Sequence, residues 1–323
     1  MPRKARLSVP GAVYHVMGRC LESYQLFPDD ADREYFLTLL DTCLTRTNTR
    51  CYAWVLMRTH YHLVLRSGDV ELWEIMKPLN MRYAQYHGKK TARRGPLFMD
   101  RYKSIVTQDQ NYVQELVRYV HLNPIRAGIC KNLHMLARYR WCGHGVLMGK
   151  SIRKFQDAQA VLRRFGSTDA SARASYCRFL REGLKEGADT DTIIDLVRKS
   201  NAGSESGRKA TCWVIGDQKF VREVTASVQA RRLRISRFER EGGRFDGIAE
   251  TIHAVFNVPV EMLRRRHRGG TPSEARKAFA FIASRTYNAP VSRIAEYLGV
   301  GNAAISAMTQ SGRTIVKDRR ITI

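Results

Sequence analysis

The sequence lacks any apolar run approaching the ~18 residues that would span a bilayer, and no signal-peptide core follows its start. It also lacks cysteine pairs: its seven cysteines are scattered and never form C-x-x-C, which predicts reduced thiols rather than disulfides. Prolines number only 9 in 323 residues and 44% of the chain is hydrophobic, so extensive disorder is excluded. No G-x-x-x-x-G-K-[ST] loop occurs, so the sequence predicts no ATP site of that type.

Acidic residues are scarce beside basic ones: 30 Asp and Glu stand against 55 Lys and Arg, for a net charge of +25. A field this positive attracts polyanions, and nucleic acid is the usual one. A membrane surface is the competing polyanion, but nothing in the sequence predicts a membrane segment. We therefore expect a cytoplasmic, nucleoid-associated protein that binds DNA and no membrane.

The first 125 residues alternate between strand-like and helix-like patterns. The predicted strands are 12–17, 50–57, 60–67 and 102–107, and the predicted helices are 29–47, about 70–88 and 109–123. Pro124 is expected to stop the last helix. The order β-α-β-β-α-β-α is typical of a ferredoxin-like, split-βαβ domain with one added helix. The predicted fold class is α+β, with all-α regions after this domain that include a helix-turn-helix.

The chain changes character at about residue 150, where charge-rich helical patterns begin. A Ser/Gly-rich stretch at 199–210 and "EGGRF" at 241–245 are typical of linkers. We therefore predict three parts: a domain over 1–148, a helical linker region over 149–243 and a second domain over 244–323.

The segment "RTHYHLVLRS" (58–67) places His60 and His62 two residues apart on a predicted strand. Both side chains therefore project from one face of the sheet, while Tyr61 projects from the other. Two neighbouring imidazoles can chelate a divalent cation, and a third ligand from another element is then expected. Two other interpretations stay open: half-buried histidines with satisfied hydrogen bonds, or a zinc site with Cys or His partners.

The helix predicted over 109–123 carries side chains that could complete such a site. Tyr119 and Asn123 lie one turn apart, so a phenol and a carboxamide oxygen can approach the same point. If this helix packs on the face with the histidines, Asn123 becomes a third ligand and Tyr119 lies beside it. Otherwise Tyr119 is a core aromatic whose hydroxyl bonds to a neighbour.

Three motifs occur in a fixed order: "VPGAVYHVMGR" (9–19), the "HYH" of 60–62, and "GPLFMDRYKSIVTQDQNYVQELVRYVHLNPIRAG" (95–128). Together they resemble the single-tyrosine HUH transposases, and among these the REP-associated tyrosine transposases. The resemblance covers about residues 5–145, and it implies that the predicted domain 1–148 is a single-tyrosine HUH transposase and nuclease.

The resemblance implies a DNA endonuclease and strand transferase that acts on single-stranded DNA near hairpins. Tyr119 would be the nucleophile, and His60, His62 and Asn123 would hold Mg²⁺ or Mn²⁺. Such a cation neutralises a phosphate oxygen, and attack by Tyr119 would give a 5′-phosphotyrosine and a free 3′-OH. A tyrosine of ordinary pKa, about 10, is a poor nucleophile at pH 7, so the cation or a general base must promote its deprotonation.

Basic residues close to these motifs are candidates for phosphate contacts. They are Lys89, Lys90, Arg93, Arg94, Arg101 and Lys103. In the family, Arg-Gly-Asn-Asn-Arg or a similar run after the first strand helps to bind a short guide sequence beside a hairpin. This chain has "MGRCLES" (17–23), in which Gly18 and Arg19 match in altered form and the asparagines are missing. We expect Arg19 to contact DNA, but the family's tetranucleotide does not carry over.

Residues 245–312 resemble the DNA-binding domain of the bacterial initiator DnaA. Within them "VSRIAEYLG" would be the first helix of a helix-turn-helix, Gly299 the turn, and 302–308 the recognition helix with Asn302 as its N-cap. Asn302-Ala303-Ala304-Ile305 replaces the usual Asp-His-Thr-Thr, so the initiator's sequence preference does not transfer. The candidate DNA contacts are Arg264, Arg265, Arg266, Asn302 and Ser306. A helical packing module without DNA contacts is the alternative.

The expected partners are single-stranded DNA with hairpins and, through the C-terminal domain, duplex DNA, with the protein acting as a monomer or homodimer. One alternative function is a catalytically idle DNA-binding regulator built on a transposase scaffold, although an intact histidine pair with Tyr119 argues against a decayed site. A replication-initiator or relaxase-type HUH nickase is another. Those proteins usually have a different motif order and often a helicase.

Overall fold

The structure is a computed structural model that describes residues 9, 11–22, 24–68, 70–92, 94–185, 214–240, 245–265, 267, 269–287 and 289–321. Contacts divide the chain into two compact units, 1–225 and 226–323, which are described separately below. The predicted boundaries near 148 and 243 stay predictions. No helix within the described ranges is long and apolar enough to cross a membrane.

The first unit is built on one five-stranded sheet of order β2-β3-β1-β4-β5. Its strands are β1 (Val13–Arg19), β2 (Arg50–Leu56), β3 (His60–Arg66), β4 (Lys103–Thr107) and β5 (Val214–Ile215). The first four pair antiparallel, with β1 between β3 and β4. This is the strand order of a split βαβ, so the predicted ferredoxin-like α+β fold is confirmed.

Among the described residues of the first unit, seven helices lie around this sheet, and an eighth helix begins in the same unit. They are α1 (Asp30–Arg46), α2 (Leu72–Lys90), α3 (Asp109–Arg126), α4 (Leu133–Arg138), α5 (His144–Leu147), α6 (Ala158–Leu162), α7 (Asp169–Lys185) and α8 (Gln218–Arg240). Strand β5 was not predicted from the sequence, because two residues are too short to show an alternating pattern. It pairs parallel to β4 at the sheet edge, where the Gln108 N–H donates to the Ile215 carbonyl at 2.8 Å.

The two faces of the sheet are covered by different helices because side chains alternate along each strand. On one face, Tyr61 of β3 is fully buried, packs 4.9 Å from the ring of Phe36 on α1 and donates to Asn80 on α2 at 2.8 Å. The opposite face, which carries His60 and His62, is covered by α3. The condition under which Asn123 and Tyr119 can approach the histidines is therefore met.

Four apolar residues at helical spacing fasten α3 to that face: Val113, Leu116, Val117 and Val120 share a buried cluster with residues of the sheet such as Val55, Val64 and Ile105. Each fully buried Val or Leu side chain contributes about 1.5–3 kcal/mol. As a result, Tyr119, Asn123 and Arg126 in the C-terminal part of α3 lie close to His60 and His62.

The expected end of α3 before Pro124 was wrong, because the helix continues to Arg126. Pro124 has no N–H, so it cannot donate to the carbonyl of Val120. The side-chain amide of Asn123 compensates in part by donating to the carbonyls of Tyr119 at 2.8 Å and Val120 at 3.4 Å. The extra turn brings Arg126 onto the helix.

The second unit consists of helices around their own buried core, which includes Ile248, Phe279, Leu298 and Ile305. Besides the later part of α8 they are α9 (Asp246–Phe256), α10 (Val260–Leu263), α11 (Gly270–Arg285), α12 (Val291–Leu298) and α13 (Asn302–Asp318). Only residues 299–301 separate α12 from α13, and Gly299 adopts φ +61°, which favours glycine.

Two details of the predicted second helix were wrong. The helix extends from Asn302 to Asp318 rather than ending near 308, since Thr309 and Gly312 are buried as well. Asn302 is its first helical residue, and Gly301 occupies the N-cap position without a side-chain bond. A glycine N-cap has an intrinsic preference almost as good as that of threonine, which explains why sequence alone misplaced the cap by one residue.

We predict that Gly312→Ala destabilises the second unit by about 1–3 kcal/mol, because the added Cβ would overlap the backbone carbonyl of Lys277 on α11. The measurement is urea unfolding followed by circular dichroism. Gly247→Ala is the matched control: its Cβ would meet no described atom within 4 Å, so no loss is expected. Equal stability of the Gly312→Ala variant and the wild type would contradict the close approach of α11 and α13.

Candidate active site

A cavity of about 500 Å³ lies between the histidine-bearing face of the sheet and the C-terminal half of α3. It gathers residues that are up to 112 positions apart in the chain, from His15 to Ala127. Seven residues that were predicted from the sequence as nucleophile, metal ligands or phosphate contacts line it: Arg19, His60, His62, Arg101, Lys103, Tyr119 and Asn123.

Each imidazole of the histidine pair has one ring nitrogen engaged by a neighbour. Nδ1 of His60 lies 3.1 Å from Oγ1 of Thr59, and Nδ1 of His62 lies 2.9 Å from Nε2 of His15. These contacts leave Nε2 of both rings for another partner. The rings of His60 and His62 are 5.0 Å apart and nearly perpendicular.

Burial keeps these imidazoles neutral at physiological pH. Desolvation, with a smaller contribution from Arg19, lowers the pKa of His60 to about 4. Desolvation also holds the pKa of His62 well below its usual range and lowers that of His15 to about 4. A neutral imidazole has a free lone pair at its unprotonated nitrogen, which is the form that binds metal ions.

Tyr119 lies directly beside the histidines. Its ring is 5.7 Å from that of His62 and 5.6 Å from that of His15, and it meets both edge-on. Burial raises the pKa of its phenol, while the nearby Arg126 guanidinium acts in the opposite direction. The phenol is therefore protonated at neutral pH, and any reaction of its oxygen requires that a proton leave.

The donors present fit a divalent cation. The set consists of two neutral imidazoles and the carboxamide of Asn123, whose nitrogen is used in bonds to the helix backbone so that its oxygen remains as the ligand atom. Within the described part of the chain, no three His, Cys, Asp or Glu side chains converge on one point. His15 does not act as a third imidazole ligand here, because it bonds to His62. The alternative of a zinc site with Cys or His partners therefore has no support among the described residues.

Several predicted DNA contacts lie away from the cavity. Lys90 is held by two carboxylates, at 2.6 Å from Asp29 and 2.9 Å from Asp32, so its charge is already paired within the fold. Lys89 and Arg94 are exposed, and Arg93 and Arg266 lie outside the described residues. Four predicted contacts belong to the second unit and are exposed there: Arg264, Arg265, Asn302 and Ser306.

Sequence reasoning missed several residues of the cavity, and two of them, His15 and Arg126, contact the predicted site residues. His15 shares the alternation of β1 with Met17 and Arg19, and Met17 and Arg19 pair with His62 and His60 across the strands. Because alternate residues of a strand face the same side, this pairing would have predicted His15 on the histidine-bearing face once β1 was placed beside β3. Arg126 was missed because the helix was expected to end before Pro124.

Part of the chain matches a known protein family. Residues 8–123 match the family model described as "Transposase IS200 like". The resemblance of this part of the chain to that family is therefore confirmed. A search of curated proteins gives no match.

The chain is also similar to a solved structure described as that of "the REP associates tyrosine transposase bound to a REP hairpin". The sequence identity is 12% and the TM-score 0.40. The similarity covers 49% of this chain and 98% of the other.

We predict that His15→Ala destabilises the first unit by about 1–3 kcal/mol, because Nδ1 of the buried His62 loses its hydrogen-bond partner. His15→Gln keeps a polar group at this position and should lose less. Urea unfolding at pH 7 measures both. If the two variants lose the same stability, packing of the ring rather than the bond to His62 is what matters.

Proposed function

We propose that the first unit is a metal-dependent endonuclease and strand transferase that cleaves single-stranded DNA near hairpins through a 5′-phosphotyrosine at Tyr119. The observation that supports it most is the position of the Tyr119 ring, 5.7 Å from His62 in a cavity that both histidines of the H-x-H motif line. The match of residues 8–123 to IS200-like transposases points to the same class of reaction.

The residues divide the chemistry among them. His60, His62 and Asn123 would hold Mg²⁺ or Mn²⁺, which when bound neutralises charge on a non-bridging phosphate oxygen. Tyr119 loses its phenolic proton and its oxygen attacks phosphorus in line with the leaving group. The Tyr119 Oη–P bond forms, the P–O3′ bond breaks, and the released O3′ takes up a proton. The covalent link conserves the ester, so a 3′-OH can reverse the step and join strands.

The lining of the cavity suits a phosphodiester substrate. Arg19, Arg101 and Lys103 face the same space as Tyr119, and their positive charges match the DNA backbone. These contacts position the strand without reading its bases. The net charge of +25 adds long-range attraction for the same polyanion.

We infer that the second unit binds duplex DNA. Helices α12 and α13 are separated by only three residues, and the exposed Asn302 and Ser306 lie on the first turns of α13, which suits the recognition helix of a helix-turn-helix. Arg264 and Arg265 are exposed in the same unit and suit phosphates.

We predict that Tyr119→Phe abolishes the covalent DNA adduct while DNA binding persists, because only the attacking oxygen is removed. The assay incubates a labelled hairpin oligonucleotide, taken from palindromes that flank the gene, with Mg²⁺ or Mn²⁺ and separates the products on a denaturing gel. Tyr112→Phe, two turns earlier on α3, is the control and should cleave normally. An adduct formed by Tyr119→Phe would refute the nucleophile assignment, and the absence of any wild-type adduct would favour the idle regulator.

We predict that His60→Ala lowers the affinity for Mn²⁺ by more than about 100-fold. Loss of a residue that only hydrogen-bonds to a ligand typically lowers metal affinity by about 10–100-fold, and His60→Ala removes a ligand atom itself. Calorimetric titration of Mn²⁺ into the protein measures the affinity, and cleavage should fall with it. His134→Ala, which removes an exposed histidine on α4, is the control. Unchanged Mn²⁺ affinity in His60→Ala would exclude this histidine as a ligand.

A further inference from the structure

Arg126 occupies the last position of α3, two turns after Tyr119, and lies at the same cavity. Its guanidinium carbon is 5.1 Å from the centre of the Tyr119 ring, within the range of a cation–π contact. The contact exists because α3 continues through Pro124. Arg126 therefore places a fixed positive charge beside the proposed nucleophile.

The guanidinium of Arg126 has donors without an acceptor. Nε and Nη1 are buried, and none of the described residues accepts a hydrogen bond from them. Two other part-buried arginines of this unit are paired: Arg118 lies 2.6 Å from Glu115, and Arg153 lies 2.7 Å from Glu34. A buried donor on a charged group without an acceptor lowers the stability of the fold. Such a cost is retained where a ligand supplies the missing acceptor.

The charges around Arg126 define that ligand as an anion. Arg19, Arg101 and Lys103 line the same cavity, and Asp100 is the one carboxylate among its described lining residues. Asp100 makes no ion pair with Arg126 in the described structure. The space beside Arg126 is therefore positive and provides N–H donors.

We propose that Arg126 is a catalytic residue whose guanidinium binds the scissile phosphodiester. This inference rests on the proposed function. A guanidinium presents its N–H groups in a planar fork that matches two phosphate oxygens. As the Tyr119 Oη–P bond forms, negative charge grows on the phosphoryl oxygens, and a preorganised donor favours that state over the ground state. Arg126 stays protonated throughout.

The decisive experiment compares two substrates that differ by one charge. The cleavage position in the hairpin oligonucleotide is first mapped with the wild type, and a neutral methylphosphonate is then placed at that position. Arg126→Gln should slow cleavage of the normal diester by about 100-fold or more, the loss typical of one removed transition-state donor. It should slow the methylphosphonate far less, because that group lacks the charge that Arg126 recognises. The rate at which Arg126→Lys cleaves the normal diester should lie between the rates of Arg126→Gln and the wild type.

The controls separate this role from packing. Arg138→Gln removes an exposed charge on α4 and should cleave both substrates at the wild-type rate. Thermal unfolding verifies that each variant folds. If Arg126→Gln slows both substrates equally, or neither, the inference is overturned and Arg126 is only a packing partner of Tyr119.

A binding measurement decides the inference separately from cleavage. Titration of dimethyl phosphate into the wild type, followed by the ¹⁵Nε–H signal that Arg126→Lys eliminates, should give a saturable shift. The corresponding signal of Arg138 should not saturate. No shift at Arg126 overturns the anion site even if the enzyme cleaves DNA. A shift without any cleavage by the wild type supports the anion site while the proposed function fails.

Discussion

The packing of α3 on the histidine-bearing face of the sheet is the interaction on which the candidate site depends. Val113, Leu116, Val117 and Val120 remove apolar surface from water, and this burial fixes the position of Tyr119 within one turn. The same burial takes the imidazoles out of solvent, which lowers their pKa and keeps their lone pairs free. The packing of α3 therefore brings Tyr119 to the cavity and puts His60 and His62 in the neutral form that the proposed metal site requires.

This burial also creates an electrostatic problem that the surrounding residues answer. A phenol out of water holds its proton more tightly, so the environment that suits the histidines opposes ionisation of Tyr119. The Arg126 guanidinium opposes the rise in the pKa of Tyr119 that burial causes. Polar neighbours fix the orientation of the side chains at the site. Thr59 and His15 occupy Nδ1 of the two histidines, and Asn123 is tied to the helix backbone. The site thus consists of reacting groups and of a set of hydrogen bonds that orient them.

The sequence predicted the elements that have strong local signals. Alternation along β3 placed His60 and His62 on one face and Tyr61 on the other, as the structure shows. Helical spacing placed Tyr119 and Asn123 together. The errors have two sources. A local bond from the Asn123 amide to the Val120 carbonyl compensates in part for Pro124, through which α3 continues, and a long-range contact pairs Lys90 with Asp29 and Asp32.

By itself the sequence determined the order of the first four strands and three helices, put His60 and His62 on one face of a strand and set Tyr119 one turn before Asn123. These features depend on periodicities of two and 3.6 residues along one segment. Only the tertiary structure decided that α3 covers the histidine face, that His15 bonds to His62 and that Arg126 lies over Tyr119. Those contacts join residues from β1, β3 and α3, and their formation depends on which surfaces are buried together, a property that no single segment encodes.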